Sequence, residues 1–386
     1  MHQPRTPVER LQHFHPRFCP WLDCSEHTRT EPGYRFRHHT PYSTASRRSV
    51  PRFRCNSCDR TFSSQSFSVT YYLKRPELLP RIAAQLQAGS AHRQIARTIG
   101  CAHSTVTRQS ARLGRQALLL HTRARTWLHG RLTERVVLDH AEVFEYSQDF
   151  PFGIATPVGA DSGYCYEVDP APHARTGCRS AFQQQRLAAR PDRLRYGGFH
   201  GSTRRVVDRL LELAGPGNPL DLASDGHPAY LDVVAGHPER RRIRHAIFPN
   251  PERGPKGTPR SAEARARDRA MFPVDRWHTL IRHTCAHHRR ETIAFGRRLN
   301  ALLERLYLTV VWRNFIKGRS ERKPDPSTPA MRLGLAQKPW TWRQVLSRRL
   351  FPAREGPTEI ETILYRREWT TPVLPSNHRH RLRHAY

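Results

Sequence analysis

Two sets of residues in this chain have types and spacings that could do chemistry. The first is four cysteines near its start, Cys19 and Cys24 in FCPWLDC and Cys55 and Cys58 in FRCNSCDRTF. A C-x-x-C pair at a turn directs two thiolates at one metal, and a second pair completes the four-thiolate tetrahedron that Zn²⁺ prefers. His27 is an alternative ligand to complete the set, and four unliganded thiols are the plain alternative. So few apolar residues surround these cysteines that Zn²⁺ would contribute most of the folding energy of the segment. The second set is Asp139, which ends the apolar run VVL, Asp225, which ends LDLAS, and Asp275. From Asp275, the steps of three, four and seven to His278, Thr279 and Arg282 put these side chains on one helical face. Three carboxylates can hold two Mg²⁺ (or Mn²⁺) ions about 3.5–4 Å apart and carry out phosphoryl transfer with no covalent enzyme intermediate. Each acid also has a plain role, Asp139 and Asp225 as turn formers and Asp275 as an acid stabilising a helix start. Glu142, Asp161, Glu291 and Glu304 compete with them. Glu291 lies about 24 Å beyond Asp275 along a continuous helix, so only one of the two can belong to the site.

The elements that must position these acids are partly legible. Val136, Val137 and Leu138 read as a buried strand delivering Asp139, with further strands expected at 153–158 and 164–168 around the turn at Ala160–Gly163. A helix follows at 202–213, and LDLASDG repeats the device of a strand ending on an acid. Residues 250–270 are crowded with Arg, Pro and Gly and read as a mobile cationic loop that orders on a phosphate backbone. Residues 272–317 then read as one long helix with Pro273 as its first residue. Its far half, with Leu299, Leu302, Leu303, Leu306, Val310 and Val311, has the spacing of a face packed on a core. Residues 330–350, with Trp340 and Trp342, should cap the domain, and the tail ending HRHRLRHAY should be disordered. Upstream, Ile82, Ala83 and Leu86 lead to Ser90, a cap for a helix carrying Ile95, Ala96 and Ile99. Gly100 ends that helix, and the next begins near His103. This resembles a helix-turn-helix, whose second helix would present Ser104, Thr105, Thr107, Arg108 and Arg112 to a major groove. A plain helical hairpin with a basic face is the alternative, and 121–132 read as a basic linker helix.

Composition points to the partner. The 386 residues carry 65 Lys+Arg against 33 Asp+Glu, a net charge of +32. Such an excess repels itself unless a polyanion neutralises it. No apolar run approaches the roughly 18 residues that span a bilayer, and the first ten residues are too polar for a secretory signal, so a soluble, cytoplasmic protein is expected.

One block carries a family resemblance. The string D-R-x-H-x-x-x-R (Asp275, Arg276, His278, Arg282), followed by R-x-T-x-x-F (Arg290, Thr292, Phe295), resembles the block around the third acid of transposases of the insertion-sequence-one type. Asp275 stands where that family has Glu, His278 where it has Asn, and Gly296 where it often has Ser. The C-x-x-C-x-x-T-F string at Cys55 resembles the family's N-terminal zinc finger. The resemblance implies an α/β chain with a ribonuclease-H-like mixed sheet and flanking helices (133–350), preceded by a zinc ribbon (1–72) and a helix-turn-helix (73–132) and followed by a basic tail (351–386). It further implies a nucleoid-associated bacterial DNA transposase with Asp139, Asp225 and Asp275 as its catalytic, metal-binding acids. Such an enzyme of an insertion sequence binds the element's terminal inverted repeats, cleaves their 3′ ends and joins them to target DNA, acts on double-stranded DNA as a homo-oligomer, and contacts it through Arg276, Arg282 and Arg290 as well. A catalytically inactive DNA-binding regulator derived from such an enzyme and a structure-specific nuclease are the alternatives.

Overall fold

The computed structural model describes residues 14–44, 47–147, 149–173, 178–188, 195–252, 254–255, 257–289, 292–322 and 324–371. The chain is mixed α/β with a four-cysteine cluster near its N-terminus.

The N-terminal segment folds around an antiparallel sheet, β1 (Phe36–Thr44), β2 (Arg47–Cys55) and β3 (Thr61–Ser63). Its core of Phe53, Phe62, Tyr34, Cys19, Cys24 and Cys55 is separate from the main core. Phe18 and Phe67 pack on Phe351, and Arg354 donates to the carbonyls of His27 and Arg29, so the segment docks on the far end of the chain.

Three helices follow, α1 (Leu78–Gln87), α2 (His92–Ile99) and α3 (His103–Leu128). The turn between α2 and α3 holds Gly100 at φ 65°, a left-handed value that glycine adopts without strain. Ala91, not Ser90, is the cap residue of α2, and the Gln94 side chain accepts its N–H at 2.8 Å. The recognition and linker helices of the sequence reading are one continuous helix. Beyond Ser110, α3 is buried at almost every position and crosses α8 (Leu299–Val311), so 73–132 is no separate domain but shares its core with the rest. A Cβ on Gly114 would stand 2.6 Å from the Glu304 carbonyl carbon. Gly114→Ala is therefore expected to cost about 1–3 kcal/mol despite alanine's better helix propensity, because two backbones must separate. Urea unfolding checks this, and an unchanged or raised midpoint would refute the close crossing.

The second sheet positions the acids. β4 (Val136–Leu138) and β5 (His140–Phe144) form one strand interrupted at Asp139, and β6 (Pro151–Ala155) and β7 (Val158–Gly159) form its antiparallel neighbour. The Thr156 N–H donates to the Asp139 carbonyl at 3.0 Å and joins the two ladders. The third antiparallel strand is β8 (Asp169–Pro172), not the expected 164–168, which pairs only through a bridge at Cys165. Its Asp-Pro-Ala-Pro sequence gives little strand signal, yet prolines are tolerated on such an edge. After α4 (Ala181–Ala188) and α5 (Gly198–Ala214), β9 (Leu220–Ser224) runs parallel to β4; α6 (Pro228–Ala235) then leads to β10 (Ile243–Ile247), parallel to β9. The strand order is thus β10, β9, β4/β5, β6/β7, β8. Val136, Val137 and Leu138 are fully buried, as expected of a parallel strand covered on both faces.

The helix carrying the third acid differs from expectation. α7 spans Ala262–Thr284, with Ser261 accepting the Ala264 N–H as its cap and Pro273 inside it. Much of the expected cationic loop is therefore helix, built from Ala and Arg, which have high helix propensity, rather than from an apolar face. Pro273 leaves the Arg269 carbonyl without its helical donor, yet packing of α7 on β4, β7 and β9 holds the helix through it. The long helix is also broken: α7 ends at Thr284, a 3₁₀ turn covers Ala286–His288, and His288 Nε2 lies 3.0 Å from the Leu302 carbonyl of α8. Arg290 and Glu291 lie outside the described residues, as does the tail from 372.

The C-terminal residues up to 371 are folded, not a tail. Four short helices, α9 (Pro329–Arg332), α10 (Trp342–Val345), α11 (Pro352–Glu355) and α12 (Glu359–Tyr365), pack on the core. Trp340 stacks on Phe315 with centroids 4.5 Å apart. The buried Glu361 of α12 pairs with Arg125 of α3, which also holds Glu167 at 2.7 Å, a network able to offset the cost of burying these charges. Among the described residues no helix is long and apolar enough to cross a membrane.

Candidate active site and metal centre

Strand register brings the first two acids together. Leu138 pairs with Ser224, so Asp139 and Asp225 emerge side by side at the carboxyl ends of two neighbouring parallel strands. Adjacent strands lie about 4.8 Å apart. α7 packs across β4 and β9 and brings His278 Nδ1 to 3.7 Å from Asp139 Oδ2, while His278 Nε2 lies 2.7 Å from the Thr156 hydroxyl. Burial, and then the charge of Arg282, pushes His278 down to about 3, so its ring is neutral at physiological pH.

The Asp139 carboxyl lies well above the usual carboxylate range. Burial, and next the negative charge of Asp225, raise it to about 7; the field of Asp275 adds to this, while the His140 N–H at 2.8 Å and the Tyr230 hydroxyl at 3.3 Å oppose it. Its folded value thus exceeds its unfolded one, and the unfolded chain releases the proton first. The stability contributed by this group therefore falls as pH rises from about 4 to about 7. Asp139→Asn removes that slope. In the presence of a chelator it should melt about 2 °C or more above the unsubstituted protein at pH 8 and level with it at pH 4. Equal melting at both pH values would show that Asp139 is not held in a repulsive site.

Three residues that sequence reasoning passed over support the acids. Tyr230 of α6 reaches Asp139 and lies 2.7 Å from His140 Nδ1, whose other nitrogen meets Ser202 at 3.2 Å. Asn250, just past β10, donates to Asp225 Oδ2 at 3.1 Å. Its position beyond a third parallel strand was the available signal. Arg267 donates to both carboxylate oxygens of Asp275. Asp275 sits in the middle of α7, not at its start, so the helix dipole does not explain it. Asp139 feels the charges of both Asp225 and Asp275, but the oxygens of the three do not form a trio within 4.8 Å. Of the competing acids, Glu304 pairs with Arg367, Glu142 lies 3.4 Å from His173, and Asp161 is exposed at a turn.

The cysteines do converge. Cys19, Cys24, Cys55 and Cys58 have sulfurs all within 4.8 Å of one another, consistent with a zinc site. The pairs Cys19–Cys58 and Cys24–Cys55 are 3.7 and 3.8 Å apart. These separations are too long for disulfides, whereas a tetrahedron with Zn–S near 2.3 Å has edges of about 3.8 Å. His27 is outside this set, its Nδ1 lying 2.8 Å from the Cys19 carbonyl.

No known protein-family model matches the chain, and no curated protein matches it.

The expected DNA-contacting residues divide. Ser104, Thr107 and Arg108 are exposed on the first turns of α3, and Thr105 is half-buried. Arg112 donates to the carbonyls of Val69 and Tyr71 at 2.8 Å each and so holds the chain before α1 rather than facing solvent. Arg276 and Arg282 are exposed on α7.

Proposed function

We propose that the chain is a DNA transposase with a ribonuclease-H-like catalytic core, a zinc ribbon and a helix-turn-helix. The observation that carries this is the side-by-side emergence of Asp139 and Asp225 from paired parallel strands beneath a helix bearing Asp275. The strand order, with three antiparallel strands followed by two parallel ones on the far side of the first, supports the same core. Bound Mg²⁺ would polarise a phosphodiester and activate the attacking oxygen. The donor types suit such an ion, since carboxylates are hard oxygen ligands and positive charge would relieve the raised Asp139. Asp139 and Asp225 would hold the metal, with Tyr230 and Asn250 fixing their orientation. Asp275 would join them on leaving Arg267, and the neutral His278 would seat Asp139 without competing as a cation. The exposed residues at the start of α3 would select the DNA sequence, and the general positive charge would supply affinity.

The Arg267–Asp275 ion pair favours the second reading, a DNA-binding regulator that no longer cleaves. Incubating the purified chain with Mg²⁺ and DNA from either side of its gene separates the readings. Nicked and joined products are expected; nicking without joining indicates a nuclease, and binding alone the regulator.

A further inference from the structure

The side of α7 next to the acids lines a cavity of about 290 Å³. The cavity is walled by the Ala160–Gly163 turn, the chain leaving the π-helical turn Trp312–Ile316, and Arg332 of α9. Arg276 follows Asp275 directly, and the helical twist of about 100° per residue carries it off the acid face and into this cavity. Arg313, Lys317 and Arg319 line it as well.

Arg313 determines what the cavity can hold. It is only 8% exposed. Burial, and then the charges of Arg276, Arg319 and Arg332, pull its guanidinium down to about 10. It donates to the Lys317 carbonyl at 3.5 Å, a marginal length. Among the described residues, none of Arg276, Arg313, Arg319 and Arg332 forms an ion pair with a carboxylate. The nearby acids are engaged or peripheral: Glu321 pairs with Lys317. Asp325 accepts the Ser327 N–H at 2.9 Å and feels the charges of Arg319 and Arg332 without an ion pair to either, and the exposed Asp161 meets Arg332 through its backbone carbonyl alone. A buried cation ringed by like charges is unfavourable until an anion joins it.

We infer that this cavity binds a phosphate group of a nucleic-acid backbone. Guanidinium groups lining one basin match the planar, multiple donation that phosphate oxygens accept. The exposed Arg276, Arg319 and Arg332 leave the basin open to a strand running across α7, where the acid face is the adjoining one. The inference rests on the transposase reading only for the choice of DNA as ligand.

The test is salt-dependent binding of the full chain to a DNA duplex. Each lost phosphate contact lowers the slope of log affinity against log salt by about 0.9. Arg276→Gln combined with Arg319→Gln should reduce the slope by about that amount or more, while a control lacking the exposed Arg244 and Arg366, outside the cavity, should not. An unchanged slope, or an equal fall in the control, overturns the assignment. A second arm follows melting with inorganic phosphate. If phosphate stabilises the unsubstituted protein but not the double variant, and the DNA slope is unchanged, the cavity takes free phosphate and the nucleic-acid assignment is overturned. A chain that shows the slope change yet never cleaves DNA supports this site and refutes the transposase reading.

Discussion

Asp139→Asn and Asp225→Asn should each lower Mg²⁺-dependent DNA cleavage about 10³-fold or more, while DNA affinity stays level or rises. Each substitution removes a hard, charged oxygen ligand and keeps the side-chain shape, so the loss falls on the chemical step, where about 1.4 kcal/mol is a factor of ten. DNA binding should gain because a negative charge facing the phosphates disappears. Asp275→Asn should behave the same way, and Asp275→Glu should keep part of the activity if α7 can accommodate one more methylene. The ion pair with Arg267 makes Asp275 the most exacting test of the three. An active Asp275→Asn beside a dead Asp139→Asn would mean that the third ligand lies elsewhere and that Asp275 serves α7 alone. Single-turnover cleavage and filter binding on the same preparations measure both quantities.

Cys19→Ser combined with Cys55→Ser should abolish zinc binding and unfold the N-terminal segment alone. Structural zinc binds with about 10–16 kcal/mol, comparable to the whole stability of an ordinary domain, so the small aromatic core of this segment cannot replace it. The unsubstituted chain should carry close to one zinc, and the variant well under one. Hydrogen exchange should lose protection in β1, β2 and β3 and retain it in α3 and α8, whose core is distinct. Zinc affinity should also fall as pH drops. Burial raises the Cys19 and Cys24 thiols, whereas Cys55, despite burial, is lowered to about 7 by the Tyr34 hydroxyl and backbone N–H groups, so binding must displace the protons of the first two. A fully protected ribbon containing well under one zinc would refute the metal centre.

What the chain reveals without its fold is local. The C-x-x-C spacing marks a cysteine pair able to share a metal, VVL and LDLAS mark buried strands, and Gly100 marks a turn; each rests on a period or a backbone preference complete within a few residues. Local signals also misled. Pro273 suggested a helix start and the Arg-rich run before it a loop, because helix propensity without an apolar face leaves no periodic trace.

Tertiary structure alone decided the rest. Only the Leu138–Ser224 register sets Asp139 beside Asp225. Only packing brings Tyr230 and Asn250 to them, places Arg267 on Asp275, and turns Arg112 inward. The residues after 350 looked like a basic tail until Glu361 met Arg125 in the core. A charged side chain reads as surface until its partner is known, and here the partners lie far apart along the chain. Residue types and spacing therefore determined which groups could do chemistry, while long-range strand pairing and buried ion pairs, which leave no local pattern, decided which of them meet.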